Sequence, residues 1–252
     1  MFLCVKKINM TAILKKEINL FFSSLIAYIS MAVFFVVLAL NLFIFEGNIL
    51  DSNYATLDTF FTLVPWILIF LIPAITMRTF ADEKQNGTIE FLATKPITDF
   101  QIVVGKYLAA LILWFLTFLP TLIYFICVKK LSLENAPIDS GATIGSYIGL
   151  FFLGAVFVGI GIFSSAITNN QIVAFLVGVF LCYLMYDAFF RLSSLPIFEG
   201  RLDYIIQSIG LNAHYDSISR GVVDTRDIIY FLSVISLFLI GTRTALESRK
   251  WS

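Results

Sequence analysis

Six long uncharged runs, separated by shorter polar segments, dominate the hydrophobic pattern of this chain. They lie at residues 25–45, 60–77, 107–128, 144–167, 172–186 and 228–242. A bilayer core of about 30 Å is crossed by about 20 apolar residues in a helix. The runs are continuous and do not alternate with period two, which favours helices over the strands of a barrel. The pattern predicts an all-α membrane protein with six transmembrane helices.

A shorter amphipathic segment precedes the first run, at about 11–24. At 100° per residue its apolar side chains form one broad arc, and Lys15 and Lys16 fall on the opposite side, as in a helix lying at the membrane interface. Glu17 is the exception, because it projects into the apolar arc. An unpaired carboxylate there is costly, so we expect Glu17 either to meet a basic or polar partner from the cytoplasmic loops or to extend to the lipid headgroup region.

The polar segment between the second and third runs predicts a short helix between two breaks. Asn86 and Gly87 can end the helix that extends from span two. Thr88 suits an N-cap, and Glu90 suits the positive end of the new helix, which Pro96 stops. Thr98 and Gln101 then have capping-box spacing for the helix that enters span three.

Composition agrees with the membrane assignment and narrows the chemistry. The chain of 252 residues is 59% hydrophobic and 13% charged, with a mean hydropathy of +0.92, whereas about a quarter of a soluble protein is charged. One histidine leaves little material for acid–base or metal chemistry, so we expect no catalytic residue and no metal site. The zero net charge argues against nucleic-acid binding.

The distribution of Lys and Arg predicts the orientation of the helices. With the N-terminus in the cytoplasm, eleven basic residues lie inside and six outside, as the positive-inside rule favours. Both termini are then cytoplasmic, and 191–227 lies outside, where its broken apolar stretches suit short helices.

The segment ADEKQNGTIEFLATKPI resembles the coupling segment of type-2 ABC exporter permeases. The matching positions are Glu83-Lys84, Gly87 to Glu90, Thr94 with Pro96, and Gly105-Lys106, and Ala93 stands where the family commonly has Leu. The segments at 14–24 and 213–231 are similar to the family's interfacial helix and the approach to its last span. Two further stretches, at 64–92 and 145–175, resemble the permeases associated with gliding motility.

That resemblance implies a cytoplasmic coupling helix within residues 82–96 that contacts an ATPase. The implied contact residues are Glu83, Lys84, Gly87, Thr88, Glu90, Thr94 and Pro96. It also implies a bacterial inner-membrane complex of two permease subunits, identical or paralogous, with separate ATPase subunits that bind the ATP. The residues agree with a separate ATP-binding subunit. At Gly105-Lys106, Phe100 stands where a P-loop needs Gly, and Tyr107 stands where it needs Ser or Thr.

Two polar or small-residue patterns inside the spans have structural and functional interpretations. Asp187 is an acid at membrane depth, a default site candidate, but Arg191 lies four residues on and suits a structural ion pair. Gly141, Gly145 and Gly149 repeat every four residues and allow close helix approach. This stripe can serve packing within one subunit or contact with a second one.

Two other functions compete with an exporter permease. A passive channel or membrane scaffold would not require the structured segment at 82–96. An intramembrane enzyme, such as a lipid-modifying transferase, would need paired polar catalysts, and the spans offer only Asp187 with Ser, Thr, Asn and Tyr. The residues do not identify a transported substrate.

Overall fold

The protein is entirely helical in the parts of the chain that the computed structural model describes. These are residues 10–45, 56–90, 97–131, 139–196, 200–221 and 224–248, and they contain no strand. The predicted all-α membrane class is therefore confirmed.

Twelve α-helices follow one another along these residues. They are α1 Met10–Phe22, α2 Leu25–Phe43, α3 Asp58–Thr76, α4 Arg78–Gln85, α5 Asp99–Phe118, α6 Leu122–Leu131, α7 Ser140–Ile167, α8 Gln171–Tyr183, α9 Phe189–Ser193, α10 Arg201–Gln207, α11 Leu211–Ser219 and α12 Thr225–Glu247. A 3₁₀ turn, Leu119–Thr121, joins α5 to α6, and a π-helical turn, Leu184–Ala188, joins α8 to α9.

Five continuous helical stretches are long and apolar enough to cross a membrane. They are Asp58–Gln85, Asp99–Lys130, Ser140–Ile167, Gln171–Ser193 and Thr225–Glu247. A sixth candidate is the pair Met10–Phe22 and Ala27–Phe43, bent by 63°.

The helices extend beyond several of the runs that the hydrophobic pattern marks. The second run ends at 77, but its helix continues without a break as α4, because the backbone N–H of Met77 still donates to Pro73 O at 2.8 Å. The fifth run continues through the π-helical turn to Ser193. Polar residues can continue a helix outside the apolar layer, so hydropathy alone underestimates helix length.

Side-chain caps determine where four of the long helices begin. Thr98 and Gln101 form the predicted capping box of α5, and Asp139, Asn170 and Asp224 accept hydrogen bonds from the first turns of α7, α8 and α12. Each cap satisfies a backbone N–H that lacks a partner within its helix.

Helix α7 is the central element of the bundle. It contacts α3, α4, α5, α8, α11 and α12, and 78% of its most apolar stretch is buried, against 28% in the stretches that contain α8 and α12. The outward faces of α8 and α12 carry large exposed apolar side chains, among them Leu176, Phe180, Leu237 and Ile240. Such faces suit a lipid environment or another apolar surface.

The glycine stripe of α7 packs within the chain. A Cβ atom at Gly145 would lie 2.7 Å from Ile218 O, and one at Gly149 would lie 3.2 Å from the Tyr215 ring. Both neighbours belong to α11, which folds back onto α7 and covers these two glycines. Of the interpretations of the stripe, packing within the chain therefore applies to Gly145 and Gly149.

Candidate functional site

A cluster of four charged side chains, buried on one side and exposed on the other, joins α1, α4 and α5 at one end of the bundle. We call Lys16, Glu17, Glu83 and Lys106 the ion cluster. Lys106 Nζ lies 2.9 Å from Glu17 Oε1 and 3.0 Å from Glu83 Oε2, and its side chain is only 1% exposed. Lys106 Nζ also donates to Thr79 O at 2.7 Å.

The fourth member of the ion cluster lies at its solvent edge. Lys16 Nζ is 2.8 Å from Glu83 Oε1 and 3.7 Å from Glu17 Oε1. Its side chain is 48% exposed, whereas that of Glu83 is 13% exposed. The charges of two cations and two carboxylates therefore balance, so the cluster carries no net charge.

Helix α1 reaches α5 closely enough for this pairing because of its residue spacing and a glycine. Ile13, Glu17 and Phe21 are four residues apart and are the buried residues of α1. A Cβ atom at Gly105 would lie 3.2 Å from Ile13 Cγ2. The glycine of Gly105-Lys106 thus permits the close approach of α1, and the lysine supplies the counter-charge for Glu17. This is the basic partner that the apolar position of Glu17 requires.

A second set of contacts fixes α4 to the end of the central helix α7. Ser165 Oγ accepts hydrogen bonds from the backbone N–H groups of Phe80 and Ala81 at 2.9 and 3.0 Å, and donates to Met77 O at 2.8 Å. Lys84 Nζ donates to the neighbouring carbonyl oxygen of Ala166. The predicted contact residue Lys84 is therefore used inside the chain.

Asp82 connects α4 to two further elements. Its carboxylate accepts hydrogen bonds from Arg78 Nε at 3.2 Å and from Gln171 Nε2 in the first turn of α8. Arg78 Nη1 also donates to Ser24 Oγ, just before α2, at 2.8 Å. Helix α4 is thus bonded to α1, α5, α7, α8 and the start of α2, so a displacement of α4 acts on most of the bundle.

The end of α4 has the backbone that its sequence predicts, whereas no capping hydrogen bond is observed for Thr88 within the described residues. Asn86 is the C-cap of α4, and Gly87 has φ +67°, a conformation that glycine adopts without strain. The hydroxyl of Thr88 donates to Glu83 O at 3.3 Å, and Ile89 and exposed Glu90 are helical. Thr94 and Pro96, the other residues assigned to ATPase coupling, lie outside the described residues.

The remaining candidates lie away from the ion cluster. Lys15 is exposed on α1. Arg191 Nε donates to Asp187 Oδ2 one helical turn away, in the arrangement expected of a structural pair. His214 Nδ1 lies 2.7 Å from Asp227 Oδ1, its Nε2 lies 3.0 Å from Ser208 O, and its ring stacks on Tyr230 at 3.8 Å. These contacts tie α11 to α12.

Sequence reasoning missed Lys106, Asp82 and Ser165 as parts of the site. A signal for Lys106 existed, because a lysine at the start of an apolar run and a glutamate within an apolar arc each need a partner of opposite charge. Ser165 and Gln171 carry no such signal, since uncharged polar residues are common at the ends of membrane helices. Their role depends on which helix packs beside them.

Comparison with known proteins agrees with this architecture. The probable multidrug ABC transporter permease YbhR of Escherichia coli strain K12 is 26% identical to this chain over 132 residues. The protein of the same name in Escherichia coli O157:H7 matches to the same extent. The match covers 52% of this chain and 33% of each relative, so the chain is matched to about a third of their length. The profile of the ABC-2 family transporter proteins matches residues 5–248. The chain belongs to this family.

Proposed function

We propose that this chain is the permease subunit of an ATP-driven exporter and carries no catalytic residue of its own. Membership of the ABC-2 family and the similarity to relatives named as probable multidrug permeases support this function. The ATPase is then a separate subunit, and ATP binds there. The chain supplies the transmembrane path and the segment around α4, which the ATPase displaces.

The observation that carries the proposal is the ion cluster, because it attaches the end of α4 to two other helices. An ATPase that displaces residues 85–90 acts directly on Glu83, and through Lys106 on α1 and α5. Because α4 continues α3 without a break, the same displacement reaches the membrane-crossing part of α3. Ser165 transmits it to α7.

The proposed arrangement places the ion cluster and both termini in the cytoplasm of a bacterial inner membrane. The distribution of Lys and Arg supports this orientation. The 63° bend between α1 and α2 suits a first helix that lies along the inner membrane surface and a second that crosses it.

Two such subunits, identical or paralogous, form the complex with two ATPase subunits. The mass of the complex solubilised from its host tests the assembly, since an active, isolated monomer contradicts it.

A matched pair of glycine variants tests the coupling assignment. Gly87 and Gly200 both have positive φ, at 67° and 119°, and a Cβ atom at either meets nothing within 4 Å. Valine is strained at both positions, but only Gly87 lies beside the ion cluster. We expect Gly87→Val to uncouple ATP hydrolysis from export in vesicles that contain the whole complex. Gly200→Val should leave the coupling ratio unchanged.

This experiment also separates the permease from its alternatives. Equal coupling in both glycine variants would show that the segment after α4 does not receive the ATPase. Substrate flux that continues without ATP would favour a passive channel. If export requires ATP and only Gly87→Val loses coupling, the permease assignment stands.

We also propose that export by this complex serves gliding motility. The support is the similarity of residues 64–92 and 145–175 to permeases associated with that behaviour. Replacing the chromosomal copy in its host by Gly87→Val should abolish gliding while the membrane level of the protein stays the same. Normal gliding of that strain would contradict the proposed role and leave the transport assignment intact.

A further inference from the structure

A cavity lies at the opposite end of α3 from the ion cluster. Its volume is about 410 Å³, within the range of about 300–1,000 Å³ typical of small-molecule pockets. The first turns of α3, the π-helical turn after α8, and α11 supply most of its walls. Asp58 and Glu83 are separated by 25 residues of continuous helix, which is about 38 Å at the rise of an α-helix.

Fixed aromatic side chains line this cavity. The rings of Trp66 and Tyr186 meet edge to face, with centroids 5.8 Å apart and planes at 89°. Tyr215 is 3% exposed, and its hydroxyl donates to Phe61 O at 2.9 Å. Tyr186 and Tyr215 are buried, and Tyr186 holds half-buried Trp66 in place, so the exposed part of the Trp66 ring can contact a ligand at little cost in ordering entropy.

The charged groups around the cavity are predominantly acidic. Asp58 and Asp216 line it, and none of the described lining residues is basic. Asp216 is exposed to solvent, but neighbouring protein atoms displace part of its hydration and raise the pKa of its carboxyl group, and nearby Arg220 opposes this shift. Asp187, the other acid of this region, is already paired with Arg191. Two carboxylates against one nearby base leave a local excess of one negative charge.

We propose that this cavity binds an organic monocation with an apolar body, such as a quaternary ammonium or phosphonium compound. A cation is attracted by the partly exposed ring of Trp66 and by the two carboxylates. The apolar body of the ligand is stabilised by contact with the aromatic walls. A divalent metal ion is a poorer match, because Ca²⁺ and Mg²⁺ require a shell of oxygen ligands, and anions are repelled. This site goes beyond the proposed function, since ligand binding needs no ATPase.

Two probes of the same shape and opposite charge test the proposal. The full chain in lipid nanodiscs is titrated with tetraphenylphosphonium and, separately, with tetraphenylborate, using equilibrium dialysis against empty nanodiscs to subtract partition into lipid. We expect saturable binding of the phosphonium at one site per chain and no saturable binding of the borate. Equal binding of both ions would show that only apolar contact is involved and would overturn the proposal.

Charge-preserving and charge-removing variants then locate the site. The double variant Asp58→Asn and Asp216→Asn should bind tetraphenylphosphonium about tenfold more weakly, because each carboxylate near a cation at an exposed site contributes roughly a factor of five or less. Asp58→Glu with Asp216→Glu retains both charges and should bind within about threefold of the unmodified chain on the same reasoning. Asp203→Asn, which neutralises an acid of α10 that does not line the cavity, should change nothing.

The affinities can be compared only among folded variants, so the unfolding midpoint of each variant is measured as well. Asp58 and Asp216 are exposed, so their isosteric replacements should leave that midpoint unchanged. Trp66→Leu should weaken binding a further two- to fivefold or so, through loss of the cation–π contact. Unchanged affinity in the double asparagine variant would overturn the proposal, and the permease assignment would remain.

Discussion

The ion cluster and the pair between Asp187 and Arg191 join opposite charges in two different ways. In the cluster, Lys106 is 1% exposed and its partners Glu17 and Glu83 come from α1 and α4, 89 and 23 residues away along the chain. In the second pair, Arg191 is 64% exposed and its partner lies one turn away on the same helical segment. The first contact holds three helices together, whereas the second holds only its own turn.

Burial explains why these two contacts should differ in energetic importance. Removing one member of a buried pair leaves an uncompensated charge in a medium of low dielectric constant. In the second pair only Asp187 is buried, and exposed Arg191 remains solvated, so the contact between them should contribute less. Four predictions compare long-range contacts with local ones, in decreasing order of the stability that each variant should lose.

Replacing Lys106 by Met should have the largest effect on stability. Glu17 and Glu83 then keep only Lys16, which is 48% exposed, as a neighbouring cation, and we expect a loss of about 3 kcal/mol, the lower end for broken buried pairs. Unfolding of the purified protein in mixed micelles measures the change. The triple variant Glu17→Gln, Glu83→Gln and Lys106→Met removes all three buried charges and should recover most of the loss. A triple variant no more stable than the single one would contradict this explanation.

Gly145→Ala should have the next largest effect on stability, because Gly145 also contacts residues that are distant in the chain. The added methyl group would meet Ile218 O at 2.7 Å and Gly221 Cα at 3.0 Å, and backbone atoms cannot move aside as a side chain can. We expect a loss of about 1–3 kcal/mol from this overpacking, again by micelle unfolding. Gly141→Ala is the control, since its nearest neighbour is Asp139 Oδ1 at 3.4 Å. Equal losses would show that α11 does not pack against α7 as described.

Thr98→Ala removes a local contact that the sequence alone predicts. The Thr98 hydroxyl accepts from the backbone N–H of Gln101 at 3.3 Å, and the Gln101 side chain accepts from the backbone N–H of Thr98. Loss of an N-cap costs about 1 kcal/mol. Thr98→Ser keeps the hydroxyl and should restore stability. A serine variant as unstable as the alanine variant would place the effect outside the cap.

Arg191→Gln should have the smallest effect. Arg191 is 64% exposed, but the side chain of Asp187 is only 6% exposed, so water replaces the lost contact in part and we expect the unfolding midpoint to fall less than in Thr98→Ala. The matched exposed control is Arg243→Gln, which breaks another contact between residues four apart, with Glu247. A large loss in Arg191→Gln alone would show that Asp187 depends on its partner as strongly as Glu17 depends on Lys106.

The parts of the candidate site that sequence analysis anticipated are local in the chain. Gly87 ends α4 with positive φ, and Thr98 with Gln101 forms a capping box, because both features depend on residues within a few positions. Glu17 was expected to need a partner, yet its identity as Lys106 requires knowing that α1 lies against α5. Ser165 was not anticipated, since its bonds to Phe80 and Ala81 depend on the approach of α7 to α4.

Sequence patterns alone predict the membrane class, the approximate positions of the apolar helices and the residues that end or begin several of them. These follow from hydropathy, glycine conformation and capping, which act over one or two helical turns. The packing of distant segments was needed to show that α11 covers Gly145 and Gly149 and that Lys106 pairs with two carboxylates. The physical reason is that apolar helices in a membrane can pack in many arrangements of similar hydrophobic burial, so small-residue fit and charge pairing between distant segments select one of them.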